Sequence, residues 1–264
     1  MKRKGRKSTG KHDAGGGARD GRASRGPTGG DARSEPGPSA RPDADAIVGE
    51  LQSYGDSFKR HTGLELDKKL GGALATYVSE LFKWNERAAL ISHNDEPRVV
   101  ERHIMDSLSL LAFVHETDGV TLLDIGSGAG FPAIPLKLAA RGLSVAMVEA
   151  VRKKQLFLSY IIDRLSLADA VVLPDRAEHA PWRHARPEGF DVVTSRATLS
   201  LGDLARTAGP AIRQGGLLVA YKGGRHEEEI RQAETEISAA GLRLMAVWNS
   251  PWGPGQLVAF QRAG

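Results

Sequence analysis

Residues 121–131 read Thr-Leu-Leu-Asp-Ile-Gly-Ser-Gly-Ala-Gly-Phe, an aliphatic run that breaks into alternating glycines and then enters an apolar helix. No other stretch of the chain restricts the fold as strongly. Gly126, Gly128 and Gly130 carry no Cβ, so the backbone can turn sharply at a strand's carboxyl end and offer main-chain N–H groups to a ligand. An ordinary strand-to-helix turn has the same outline, so spacing and neighbourhood have to decide. A dinucleotide loop places its third glycine at what would be residue 131, and that residue is Phe131. The early third glycine disfavours a nicotinamide dehydrogenase.

After Val120 the chain alternates short aliphatic strands with helices, the pattern of a Rossmann-like α/β fold with crossovers on both faces of a parallel sheet. Strands are predicted at 121–125, 145–149, 169–173, 190–195 and 216–221, with an antiparallel pair at 242–248 and 256–261, making seven. Helices are predicted at 131–141, 151–166, 201–213 and 226–240, and the Trp252-Gly253-Pro254-Gly255 turn is expected to be exposed. Upstream, Ile47–Arg60 reads as a short helix closed by Thr62-Gly63. Leu66, Leu70, Ala73, Leu74, Tyr77, Leu81 and Trp84 recur at helical spacing, and Glu96-Pro97 opens a further helix reaching about Val114. The expected division is a tail at 1–45, a helical cap at 46–118 and an α/β domain at 119–264.

The net charge of +4 is unevenly spread: residues 1–45 hold 11 Lys or Arg against 6 Asp or Glu, whereas the remainder holds 25 against 26. In that tail only Met1 and alanines are apolar, so it is expected to be a disordered basic arm, either simply solvated or steering encounter with RNA. Its lysine and arginine cluster precedes no apolar stretch of signal-peptide type, and no long apolar run follows, so no membrane and a cytoplasmic location are expected. The absence of cysteine excludes thiol nucleophiles, as used at pyrimidine C5, and cysteine-bound zinc. Histidines lack ligand spacing, so no metal is expected.

Ligands of open α/β sheets bind at the strands' carboxyl ends. The first strand ends in Asp124 and the G-x-G-x-G loop, the pattern of S-adenosylmethionine methyltransferases. The second ends in Glu149, 23 residues after Gly126, suited to accept hydrogen bonds from ribose hydroxyls. The third leads to Ala177 and Glu178, candidates for reading an adenine edge. The fourth ends in Ser195-Arg196-Ala197, where an arginine must be paired with a carboxylate or contact a ligand. His103 and Asp106 share one helix face, where a packed, hydrogen-bonded pair competes with a role in the cleft. Arg102, Lys137, Arg152, Lys153, Lys154, Lys222 and Arg225 are candidates for phosphate contacts at the cleft mouth, against solvated or structural alternatives.

Trp84-Asn85 with Ile91-Ser92, Arg102-His103-Ile104-Met105-Asp106-Ser107, Asp124 to Pro135, Arg176-Ala177-Glu178, Ser195-Arg196-Ala197 and Tyr221-Lys222-Gly223 occur in one order. That order resembles the bacterial small-subunit ribosomal RNA guanine-N7 methyltransferases, the RsmG or glucose-inhibited division protein B family, over residues 47–262. Ser127, Ala129, Glu149 and Ile91-Ser92 depart mildly from it. The resemblance implies a class I S-adenosylmethionine methyltransferase fold and methyl transfer to N7 of a guanine in 16S rRNA, on free RNA or on the small subunit. It implies cofactor contacts at Gly126, Phe131, Ala177, Glu178 and Arg196; the strand ends themselves add Asp124, Gly128 and Glu149 as cofactor-binding candidates and Arg196 as the catalytic candidate. The chain also lacks the Asn/Asp-Pro-Pro-Tyr/Phe tetrapeptide that methyltransferases of exocyclic amino groups use. Alternatives are a methyltransferase of another RNA, a protein or a small molecule, and an RNA-binding module with a vestigial cofactor site. The oligomeric state is open, with a monomer expected.

Overall fold

The computed structural model describes residues 41–114, 119–196, 199–253 and 255–264. Most of the expected basic tail, Ala197 of the Ser-Arg-Ala motif and Pro254 lie outside the described residues.

The strands are β1 (Thr121–Ile125), β2 (Ser144–Val148), β3 (Ala170–Leu173), β4 (Phe190–Ser195), β5 (Ile212–Lys222), β6 (Leu242–Asn249) and β7 (Gln256–Arg262). They form one sheet in the order β3-β2-β1-β4-β5-β7-β6, with β7 antiparallel to both its neighbours and the other pairs parallel. The aliphatic runs follow from burial on both faces. Leu122, Val145, Met147 and Val192 join one apolar core, while Leu123, Ile125, Ala146, Val148 and Val193 join the other.

The first core is shared with the amino-terminal helices α1 (Ala44–Ser53), α2 (Gly55–Thr62) and α3 (Lys68–Ala88), and with α5 (Ala133–Ala139) and α6 (Arg152–Arg164). Between them lies α4, a single turn at Asp106–Leu108. The opposite face is covered by α7 (Trp182–Ala185), α8 (Leu201–Ala208), α9 (His226–Gln232) and α10 (Glu234–Ala239). Local signals set the ends of the amino-terminal helices. Asp43 and Asp67 accept hydrogen bonds from the N–H groups of Ala46 and Leu70, capping α1 and α3, and Gly63 ends α2 at a φ of 71°.

Four details depart from the sequence-based expectation. The first helix is two, because α1 ends at Tyr54 and α2 starts at Gly55. The helix expected after Glu96 runs instead through a 3-10 turn (His93–Arg98, containing Pro97), a π-helical turn (Val100–Met105), α4 and a second 3-10 turn (Ser109–Phe113). The helix drawn to residue 213 stops at Ala208, because Gly209 and Pro210 make a 3-10 turn and Ile212 pairs with Phe190 as the start of β5. The helix drawn over 226–240 is interrupted at Ala233, whose φ of −101° and ψ of 8° leave the α basin.

Trp252 corrects the expectation of an exposed turn. It is only 6% exposed, packs its ring 5.9 Å from Phe58, and donates its Nε1 hydrogen to Ser57 Oγ at 2.9 Å. The β6–β7 connection is thereby fastened to α2, and an indole that covers apolar surface while satisfying its N–H gains on both counts.

Gly130 illustrates how tightly α5 enters the core. A Cβ there would lie 2.6 Å from Ile134 Cγ1 and 3.1 Å from Leu158 Cδ2, at a φ of 95°. Gly130→Ala is therefore expected to lower stability by about 2–5 kcal/mol, overpacking of about 1–3 kcal/mol added to backbone strain of about 1–2 kcal/mol. In Gly128→Ala the new atom would meet only Gly126 O, at 3.9 Å, leaving backbone strain of about 1–2 kcal/mol as the main penalty. Denaturant unfolding of the two variants checks the first range, and wild-type stability in Gly130→Ala would contradict this packing.

Candidate active site

The glycine loop leaves β1 with φ of 75°, 58° and 95° at Gly126, Gly128 and Gly130, a region that L side chains avoid. Its first two amides are tied to β2, the N–H groups of Gly126 and Ser127 donating to Val148 O at 2.9 and 3.1 Å. Glu149, one residue beyond β2 and 6% exposed, completes the attachment. Its Oε2 accepts from Gly128 N and its Oε1 from Val151 N, each at 2.8 Å, and its carbonyl accepts from Gln155 Nε2 at 2.8 Å. The residue expected to face a ribose thus also shapes the loop.

The cap reaches the same loop. The Tyr77 hydroxyl, from α3, donates to Ala129 O at 2.6 Å, and its ring meets that of Phe131 edge-on at 5.5 Å. The helical periodicity put Tyr77 among apolar core positions. The available clue was chemical: a buried tyrosine needs a partner for its hydroxyl.

Asp124 lies under the loop, fully buried, and neither carboxyl oxygen makes a hydrogen bond of good geometry within the protein, although the Ser127 hydroxyl and the Ala133 amide lie near enough to favour its ionised form weakly. Burial outweighs them and pushes its carboxyl up to about 7. A buried carboxyl so weakly partnered is unfavourable by itself. It suits a ligand that brings hydrogen-bond donors or positive charge, and S-adenosylmethionine brings both. Gly126 is exposed and Gly128 half-buried, so the turn presents its backbone to that space. Ala177 and Glu178 occupy a 3-10 turn (Ala177–His179) beyond β3, the strand beside β2, with Glu178 exposed.

Arg196 follows β4 and is held by the cap. Its guanidinium lies 3.2 Å from Asp106 Oδ2 and donates to Ser107 Oγ and to Arg102 O, each at 3.2 Å. It sits 5.8 Å from the centre of the Phe131 ring and 5.3 Å from that of Tyr221. His103 stacks on Phe131 with centroids 4.8 Å apart, and its Nδ1 is 3.5 Å from an Arg196 nitrogen. Burial and then the arginine's charge lower the His103 pKa to about 4, so its imidazole is neutral near pH 7. His103 and Asp106 converge on Arg196, a tertiary contact that one-helix spacing does not reveal. The carboxylate pairing foreseen for Arg196 as a structural alternative is present, alongside the aromatic faces at the glycine loop.

The candidate phosphate contacts divide. Arg102, Arg152, Lys153 and Arg225 are exposed, with Arg102 paired to Asp95 at 2.7 Å. Lys137 does not reach the cleft mouth: it is buried, and its ammonium donates to Arg141 O and Leu143 O, at 2.7 Å each, where the chain enters β2 at the opposite end of the sheet. Lys222 is likewise mostly enclosed, bound to Glu229 at 2.7 Å and to Leu199 O at 3.1 Å. Both cations satisfy local carbonyls or an acid instead of facing a ligand. Among the described residues no group of three or more His, Asp or Glu is arranged to hold a metal ion, and no helix is long and apolar enough to cross a membrane.

A family model described as GidB, rRNA small subunit methyltransferase G, matches residues 72–250. The chain belongs to this family. Ribosomal RNA small subunit methyltransferase G of a Roseiflexus species is 40% identical over 188 residues, covering 71% of this chain and 80% of that protein. The protein of the same name from Lachnoclostridium phytofermentans is 35% identical over 185 residues, covering 70% and 76%. A chain of the solved Haloferax volcanii complex between a methyltransferase and its activator superposes with a TM-score of 0.50 at 12% identity, covering 69% of this chain and 98% of that one. That likeness concerns the fold alone, which is the class I methyltransferase fold.

Asp124 yields a pH prediction. Its pKa is raised in the folded protein, so its contribution to stability is fully present below about pH 4 and is lost as pH rises through about 7. A cationic ligand favours the ionised carboxylate, so S-adenosylmethionine is expected to bind more tightly as pH rises from 5.5 to 7.5, with proton release below pH 7. Calorimetry in buffers of different ionisation enthalpy measures the release. A pH-independent affinity, or one unaltered in Asp124→Asn, would contradict this role.

Proposed function

We propose that this chain transfers the methyl group of S-adenosylmethionine to N7 of a guanine in small-subunit ribosomal RNA. The observation that carries the reading is the family match, because residues 72–250 span both the cap elements around Arg196 and the whole glycine loop. Bound there, the cofactor supplies an electrophilic methyl group on a sulfonium. The backbone of Gly126 and Gly128 would face it, with Asp124 beneath, Glu149 at the loop's β2 side, and Ala177 and Glu178 beyond β3.

Guanine N7 carries a free lone pair and loses no proton when it is methylated. The site's chemistry agrees with that requirement. His103 is neutral and engaged on Phe131, and burial raises the Asp106 pKa while Arg196 opposes the rise. Asp106 is tied to Arg196, and His103 with so low a pKa is a weak proton acceptor, so neither is suited to act as a general base. What remains is positioning, which for a well-oriented bimolecular step supplies on the order of 7–11 kcal/mol. Arg196, between the Phe131 and Tyr221 rings, is the group we assign to orient the base, since a planar guanidinium can both stack on a guanine and donate to its edge. Arg102, Arg152, Lys153 and Arg225 then serve as phosphate contacts. In this reading residues 46–118 act as cap, 119–264 as cofactor domain and 1–45 as basic arm of a monomeric cytoplasmic enzyme.

Mass-spectrometric mapping of methylguanines in rRNA from cells with and without the gene tests the activity. One N7-methylguanine of 16S rRNA should vanish on deletion, and an unchanged rRNA would overturn the reading. Arg196→Ala is expected to lower methyl transfer at least about 100-fold, a loss typical of removing an orienting donor, and Arg196→Lys is not expected to restore it. A raised dissociation constant for S-adenosylmethionine assigns the residue to the cofactor, whereas an unchanged one with lower turnover assigns it to the guanine. Wild-type turnover in Arg196→Ala would reduce it to a structural partner of Asp106.

A further inference from the structure

A groove of about 550 Å³ lies between the carboxyl-terminal part of α3 and the first turns of α6, away from the contacts described for Arg196. Its lining includes Glu80, Lys83, Trp84, Arg87, Lys153 and Leu156. The half-buried Trp84 ring is supported by Phe157 at 5.8 Å and Tyr160 at 5.5 Å, a rigid aromatic surface inside a polar rim. Leu156, 43% exposed, adds apolar surface.

Each acid of the groove already has a cationic partner. Glu80 accepts from Lys83 at 2.8 Å and from the Tyr160 hydroxyl at 2.9 Å, and Glu86 pairs with Arg41 at 3.1 Å. Arg87 and Lys153 are exposed and, among the described residues, in no salt bridge. Lys153 Nζ donates to the Arg87 carbonyl at 3.3 Å, which keeps the two cations on one rim. With Lys83, Arg87 and Lys153 against Glu80 and Glu86, the groove lining carries an excess of positive charge, and Arg87 and Lys153 are, among the described residues, its cations without a carboxylate partner.

We infer that this groove is a second RNA subsite, which takes an unpaired nucleotide by stacking its base on Trp84 while Arg87 and Lys153 hold the flanking phosphates. A paired base is stacked within its helix and cannot enter such a space, whereas single strands offer both a free ring face and accessible phosphates. The inference rests on the reading that the substrate is rRNA. It adds a contact on the cap side, so that α3 and α6 grip the same substrate strand outside the reaction centre.

The test uses the full chain and a labelled ten-nucleotide single-stranded RNA. Arg87→Glu/Lys153→Glu is expected to lose at least tenfold in affinity at 100 mM salt and to bind with a shallower salt dependence, by about two phosphate contacts. Lys69→Glu/Arg243→Glu makes the same change in net charge at exposed positions elsewhere and should lose less than about threefold. Saturating RNA should quench part of the wild-type tryptophan fluorescence, and Trp84→Phe, which keeps an aromatic packing partner, should lose most of that quench. S-adenosylmethionine affinity is measured on every variant to establish an intact fold. Equal losses in the two charge-reversed proteins, a quench that survives in Trp84→Phe, or a duplex of the same sequence that quenches as well as the single strand would each overturn the subsite. Wild-type methylation of small-subunit rRNA, assayed in parallel, separates this failure from that of the proposed activity, because the binding arms report on the groove whether or not methyl transfer occurs.

Discussion

The hydrogen bonds that the Glu149 carboxylate accepts from Gly128 N and Val151 N are what the reaction centre is built around. One buried side chain at the end of β2 closes the glycine loop and starts α6 in the same act. Without it the half-buried Gly128 donor would lose its partner, a cost of up to about 1–3 kcal/mol, whereas the exposed Val151 N–H could turn to water. Tyr77 does the equivalent from the cap by donating to Ala129 O. The loop is therefore held from the sheet on one side and from the helical layer on the other, and its exposed backbone stays aligned over Asp124.

A second bridge between the layers is Arg196. The guanidinium meets Asp106, Ser107 and the Arg102 carbonyl from the cap, and the rings of Phe131 and Tyr221 from the α/β layer. Tyr221 in turn donates to Ser107 O at 3.1 Å, and Trp252 ties the last hairpin to α2. Cap and sheet share one apolar core, so these polar contacts do not have to hold the layers together. They specify orientation, the role for which a largely enclosed and well-paired charge is suited.

Much of the architecture was legible along the chain. β1 and β4 occupy the residues expected, because strands buried on both faces read as unbroken aliphatic runs bounded by turns. Boundaries failed where local chemistry overrode periodicity: at Gly209-Pro210, at Ala233, and along 93–113, where the helical hydrogen-bond register changes three times. Among charged candidates, Lys137 and Lys222 look like any surface cation in sequence. Only folding shows that carbonyls and Glu229 enclose them.

By itself the sequence determined the α/β class, the cofactor loop and its spacing, and the strand ends that carry Asp124, Glu149 and Arg196, since these depend on local backbone geometry and on alternating burial. The tertiary structure alone decided what those residues touch. Asp124 is buried with no hydrogen bond of good geometry, Glu149 serves the loop's own amides, Arg196 is gripped by a turn some 90 residues earlier, and Trp84 floors a groove with Arg87 and Lys153. Such contacts join residues far apart in the chain. They are set by how two layers pack over a shared core, and no local pattern encodes that packing.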